Sequence, residues 1–238
     1  MLLISLLFLN RHGNTQDDQN NITESVEPNK EEPEKTTEVE SLVSHKDQAL
    51  GINLSFAHPP KWTIKSDTYP IGSEKVSSAV VKLTSPDQKV DVTITKRNTQ
   101  GGMGAACASE GESVVKRQTT PLELSSNISF AETVYRSVET GQYFFKASLE
   151  PAREPYLGIK NGTVGKCLLS YSNFITEKDT GITTDAPYLI FADIRVDSFY
   201  ESEFVMKKDL SFETITSIFT DPTYTAAANI LKSVKLSR

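Results

Sequence analysis

Nucleophilic and metal chemistry both need a histidine close to a thiol, hydroxyl or carboxylate. The chain offers three histidines, His12, His45 and His58. The first two lie in or beside an acidic segment, so only His58 is placed to work within a fold. It precedes Pro59-Pro60, and the spacing predicts a surface histidine on the outside of that corner, where Cys107 or an acid could meet it. Cys107 ends the run GGMGAAC, whose glycines would give backbone amides room to form an oxyanion site. No base, orienting acid or helix start stands beside it, so a flexible loop carrying a structural cysteine is expected.

Asp193, Arg195 and Asp197 alternate along one apolar run. Same-face residues of a strand lie about 7 Å apart, and alternating charge suits cross-strand ion pairs rather than paired catalytic acids. A hydrolase using an unrecognised site would draw on His58, Cys107 or Asp193. No GxSxG, HExxH, CxxC, P-loop or dinucleotide glycine pattern occurs. The expectation is therefore no catalytic, metal-binding or cofactor-binding residue and no cofactor. Trp62, the only tryptophan, could anchor a partner but is expected to plug one end of a core. His58 and Trp62 together are the candidate contact surface.

Charge is distributed unevenly. Residues 14–48 hold ten Asp or Glu against Lys30, Lys35 and Lys46, a net −7, while residues 49–238 sum to zero. A neutral fold lacks the basic stripe that holds a phosphate backbone, which argues against nucleic-acid binding. The first nine residues, MLLISLLFL, are apolar apart from Ser5. That is too short to span a bilayer, which takes about 20 apolar residues, but it fits the apolar core of a signal peptide. Residues 1–10 are accordingly read as a partial signal peptide or anchor, with a longer one expected upstream of Met1. Residues 11–48 are too polar and self-repelling to offset their ordering entropy, and are expected to be a disordered acidic linker, with a short helical turn at Val39, Leu42 and Val43 as an option.

From residue 49 the pattern has period two. Ile52, Leu54 and Phe56 alternate with polar residues, as do Val90, Val92 and Ile94, and Ile190, Ala192, Ile194 and Val196. Glu139-Thr140-Gly141 predicts a hairpin between Ile128–Val138 and Tyr143–Leu149, and Lys166–Thr176 reads as a further strand. Cys167 would point inward from that strand, and a Cys107–Cys167 disulfide is an open alternative to two separate thiols. Helical spacing is confined to Leu210–Thr220 and to Thr223–Lys232, the latter preceded by Asp221 as N-cap and Pro222 in the first turn. The fold class is α+β: one domain over 49–238, with an antiparallel sheet of about eight strands and few helices packed on it.

The two ends of this domain resemble the PsbP-like superfamily, which includes photosynthetic oxygen-evolving-complex subunits, a Ran-binding nuclear import factor and bacterial envelope lipoproteins. The likeness lies in an aromatic-bearing strand leading through Pro59-Pro60-Lys61-Trp62 into a second strand, and in the Ala-rich helix Ala226–Lys232 running into Ser233–Leu236. It covers residues 50–67 and 220–236. The resemblance implies an antiparallel sheet flanked by helices and a role as an accessory or binding module. The expected function is a non-catalytic, extracytoplasmic module, secreted or membrane-anchored by its N-terminus. It would be a monomer meeting an unknown protein or small ligand at the cell envelope, touching membrane only through the N-terminal segment. A structural envelope-assembly protein is the further alternative.

Overall fold

Fourteen strands, three α-helices and two 3-10 turns (Asp197–Phe199 and Ile218–Thr220) account for the regular structure in the computed structural model, which describes residues 41–48, 52–71, 76–98, 111–123, 125–156, 158–165, 172–184, 187–202 and 205–238. The apolar stub, most of the acidic segment, Cys107 and Cys167 lie outside the described residues.

The main sheet is built from β3 (Thr63–Ile71), β4 (Val76–Thr84), β5 (Val90–Asn98), β6 (Gly111–Leu122), β7 (Ser125–Ser137), β8 (Tyr143–Pro151), β9 (Gly162–Gly165), β10 (Ile175–Thr176) and β11 (Tyr188–Val196). Their order is β3-β4-β5-β11-β8-β7-β6-β9, with β10 also paired to β11, and the pairings are antiparallel. A smaller sheet holds β1 (Val43–Asp47), β2 (Asn53–His58) and β14 (Lys235–Ser237) in the order β1-β2-β14. α1 (Glu177–Thr180), the hairpin β12 (Tyr200–Ser202) with β13 (Val205–Met206), α2 (Phe212–Ser217) and α3 (Pro222–Lys232) complete the domain.

One face of the main sheet carries the core. Val81 and Leu83 on β4, Val92 and Ile94 on β5, Ala192 and Ile194 on β11, and Ala147 and Leu149 on β8 are all buried in one cluster. Period-two alternation puts every second residue of each strand on that face. α3 covers it with Tyr224, Ala227, Ala228, Ile230 and Leu231. The Asp221 carboxylate accepts from the backbone amides of Thr223 and Tyr224 at 2.8 and 3.1 Å, so the helix starts where Asp-Pro predicts. β2 lies over the same face, with Phe56 and the preceding Ile52 entering the core. Trp62 is there too, held by a turn in which its backbone amide donates to the Pro59 carbonyl at 3.2 Å.

Three expectations need correction. Val43–Asp47, placed in the linker, is instead a strand pairing antiparallel with β2 from Val43↔His58 to Asp47↔Leu54. The His45 ring stacks on Phe56 at 5.0 Å, so backbone pairing and one ring contact order a segment whose composition alone would not. β6 was not expected at all, because GESVVKRQTTPL shows little alternation, yet it pairs along β7 from Glu112↔Ser137 to Leu122↔Ser125. Of the strand expected over Lys166–Thr176, residues 166–171 lie outside the described residues, residues 172–174 are not strand, and Ile175–Thr176 is.

Candidate functional site

The opposite face of the main sheet is only half covered. Over β6, β7 and β8, the segment after β8 packs Tyr156 and Ile159 against Val114, Tyr135 and Val164. Over β4, β5 and β11 no described residue covers the face, which forms a groove of about 1130 Å³ walled by Asn173 on one side and by Tyr200, Glu201 and Ser202 of the β12 hairpin on another.

Strand register orders the groove floor into rows. Lys82, Thr93 and Asp193 lie across neighbouring strands, followed by Val80, Thr95 and Phe191, and then Ser78 opposite Arg97. Several charges here neutralise one another. Lys82 pairs with Asp91 at 2.9 Å, and the Thr84 hydroxyl donates to Asp91 at 2.7 Å. Arg195 donates to the Ser202 carbonyl at 3.1 Å, lies 3.7 Å from Asp197 and sits over the Tyr200 ring at 4.1 Å. Of the alternating charges Asp193, Arg195 and Asp197, only the last two pair, and with each other along the chain rather than across strands; Asp193 forms no ion pair among the described residues.

Asp193 differs from its neighbours. Groove water reaches its side chain, yet the surrounding protein crowds the carboxyl and pushes its pKa up to about 6, while Lys146 and the residue's own backbone amide pull it down. A carboxyl whose folded pKa lies above its unfolded value near 3.9 binds more protons when folded. Its contribution to stability is complete below about pH 4 and is lost as pH rises through about 6. We expect Asp193→Asn to flatten the pH dependence of stability between about pH 4 and 6 and to raise the urea midpoint at pH 7. A side-chain carboxyl NMR titration should place Asp193 above the ordinary carboxylate range; a midpoint near 4 would contradict the crowding.

Beneath the covered half lies a buried polar cluster. Glu150 is 1% exposed and accepts from Arg117 at 2.7 Å, from Ser172 at 2.8 Å and from Ser148 at 3.2 Å. Arg117 also donates to Thr133 at 2.7 Å, and Lys146 donates to Ser172 at 2.7 Å while lying 3.8 Å from Glu150. Burial lowers the Lys146 pKa to about 8, with Glu150 and Asp193 opposing the shift and Arg117 adding to it. A lysine beside a serine hydroxyl has the ingredients of a nucleophile and its base. Here, however, Ser172 has no exposed surface and is hydrogen-bonded to Glu150. A substrate carbonyl cannot reach that oxygen, so the cluster serves to hold β6, β7 and β8 to the segment at residue 172.

Of the residues singled out by sequence, Asp193, Arg195 and Asp197 gather in the groove and His58 and Trp62 do not. His58, expected on the outside of the corner, is 6% exposed, with its Nδ1 2.8 Å from the Pro59 carbonyl. Trp62 is 7% exposed, so the pair presents little surface to a partner. β1 pairs alongside the strand to which His58 belongs, with Val43 opposite His58, and Trp62 packs into the main core cluster. Among the described residues, no three of His, Cys, Asp and Glu converge as a ligand set for a metal ion. Lys146, Ser148 and Glu150 went unnoticed because alternation marks them only as a polar face, and Arg117 because its strand went unnoticed. Comparison with protein-family models, curated proteins and solved structures found no match to this chain.

Proposed function

We propose that the domain is a non-catalytic binding module, presented outside the cytoplasmic membrane on its N-terminal segment, which holds a small polar ligand or a short stretch of a partner in the open groove. The observation that carries the reading is the groove itself. About 1130 Å³ of concave sheet face is lined by hydroxyls, mixed charges and two aromatic rings, the mixture that orients a ligand by a few placed polar contacts. The apolar stub and acidic segment of the sequence support envelope display. A helix and small sheet packed on one face of an antiparallel sheet support the PsbP-like reading of the two ends. Among the described residues the nearest approach to a hydrolytic arrangement is Lys146 with Ser172, and the enclosure of Ser172 favours binding instead.

The test is a heteronuclear NMR titration of the protein against short peptides, neutral saccharides and nucleotides, repeated with Thr93→Trp to fill the groove floor. Shifts confined to β4, β5 and β11, and lost in Thr93→Trp, are expected for at least one class. If no class moves groove resonances, the reading fails.

A further inference from the structure

We infer that the groove takes a short extended peptide with both ends free, its ammonium at Asp193, a central apolar side chain over Val80 and Phe191, and its carboxylate at Arg97. This rests on the binding reading above and narrows it to one ligand class.

The charges left over in the groove define the ligand. Lys82 is matched to Asp91 and Arg195 to Asp197. Among the described residues, the side chains of Asp193 and Arg97 make no hydrogen bond or ion pair with another residue, although Asp193 feels the charge of Lys146. Glu201, the other carboxylate unpaired among the described residues, sits on the exposed hairpin rim, so on the strands of the groove floor one uncommitted anion and one uncommitted cation face the same groove. They call for a ligand carrying both charges, since a singly charged one would leave the other end unmatched.

Spacing sets the ligand's length. Asp193 lies opposite Thr93 on β5, and Arg97 is four residues further along that strand. At about 3.3 Å per residue the two ends are about 13 Å apart along the groove, less whatever the long arginine side chain spans inward. An extended tripeptide or tetrapeptide covers about 10–14 Å. The row between the charged ends holds Val80, Thr95 and Phe191. It is the least polar part of the floor, where the central side chain of such a peptide would rest.

Asn173 adds a further acceptor at the Asp193 end. Ser172 beside it is bonded to Lys146, which lies close enough to Asp193 to shift it, and Phe174 on its other side packs edge-on against Phe191 at 4.7 Å. Asn173 is therefore held between these two rows. Its side-chain oxygen is shielded from solvent and has no hydrogen-bond donor. The terminal amide torsion is broad, and a turn about it offers that oxygen to an incoming ammonium.

Alanyl-leucyl-alanine, its N-acetyl form and its C-terminal amide are the probes, each titrated into the full chain by calorimetry and NMR. We expect the free peptide to bind across β4, β5 and β11, and each cap to weaken binding about tenfold. Asp193→Asn should weaken the free peptide about tenfold and abolish the effect of acetylation while leaving that of amidation. Arg97→Gln should do the converse. Caps without effect, or an acetylation penalty that survives in Asp193→Asn, overturn the inference, and the capped peptides test it on unaltered protein should a variant not fold. Groove shifts with saccharides or nucleotides but none with peptides would overturn the inference and leave the binding reading standing. Silence from every class would remove both.

Discussion

Glu150→Ala should destabilise the domain by about 3–5 kcal/mol, the cost of leaving buried cations without their partner. For a chain of this size that lowers the Tm by about 6–20 °C. Glu150 is the shared acceptor of the cluster under β6, β7 and β8. It meets Arg117 at 2.7 Å, with Lys146 3.8 Å away, and the arginine and lysine side chains are 6% and 16% exposed. Without the carboxylate, two positive charges face each other with little water to separate them, and Ser172 and Ser148 lose their acceptor. Glu150→Gln should cost nearly as much, since the loss is mainly of charge. Replacing all three members together, as Arg117→Met, Lys146→Met and Glu150→Leu, removes the imbalance and should recover most of the stability, because a buried ion cluster is often no more stabilising than apolar residues of similar volume. Urea unfolding of the three proteins decides the matter. A Glu150→Ala midpoint close to that of the parent would show that the cations find other partners.

Tyr224→Ala should cost a similar amount, about 3–5 kcal/mol, as expected for deleting a buried aromatic side chain. Tyr224 is 2% exposed and anchors α3 on the main sheet, with Phe145 and Phe219 edge-on to it at 5.8 and 5.9 Å. Its hydroxyl donates to Glu132 on β7 at 2.5 Å. Burial and the neighbouring carboxylate push the phenol pKa well above its ordinary value, so it stays protonated and remains a donor. Tyr224→Phe separates the two contributions. It keeps the ring and removes the donor, at about 1 kcal/mol, because half-buried Glu132 can still turn toward water. A Phe variant as unstable as the Ala variant would mean that the hydrogen bond, not ring packing, holds the helix.

What could be read from the residues followed from how local the relevant physics is. The Asp221-Pro222 start of α3 and its buried stripe of Tyr224, Ala227, Ala228 and Leu231 appear as expected, because capping and helical spacing act within a few residues. The hairpin from β7 to β8 also appears, closing through Glu139-Thr140-Gly141 with Gly141 at φ 70°, a conformation that suits glycine. β1 and β6 do not announce themselves. Each pairs chiefly with the strand that follows it, β1 with β2 and β6 with β7, but backbone pairing is blind to side-chain type and leaves no periodic trace in residues as polar as these.

The site divides along the same line. Alternation along β11 was enough to put Asp193, Arg195 and Asp197 on the face away from the core, since side-chain direction in a strand is a property of the strand itself. It could not tell which polar faces would stay open. Lys146 and Glu150 alternate like Asp193 and Arg195, yet a covering segment buries Lys146 and Glu150, while Asp193 and Arg195 line the groove. Nor could it tell that Asp91 would find Lys82 across the strands while Asp193 would find no cation, because cross-strand register decides which charges meet. By itself the sequence determined an antiparallel α+β domain with a helix lying on one face. Only the tertiary structure decided that, among the described residues, the other face is half roofed and half open, because covering a face depends on contacts between segments far apart in the chain.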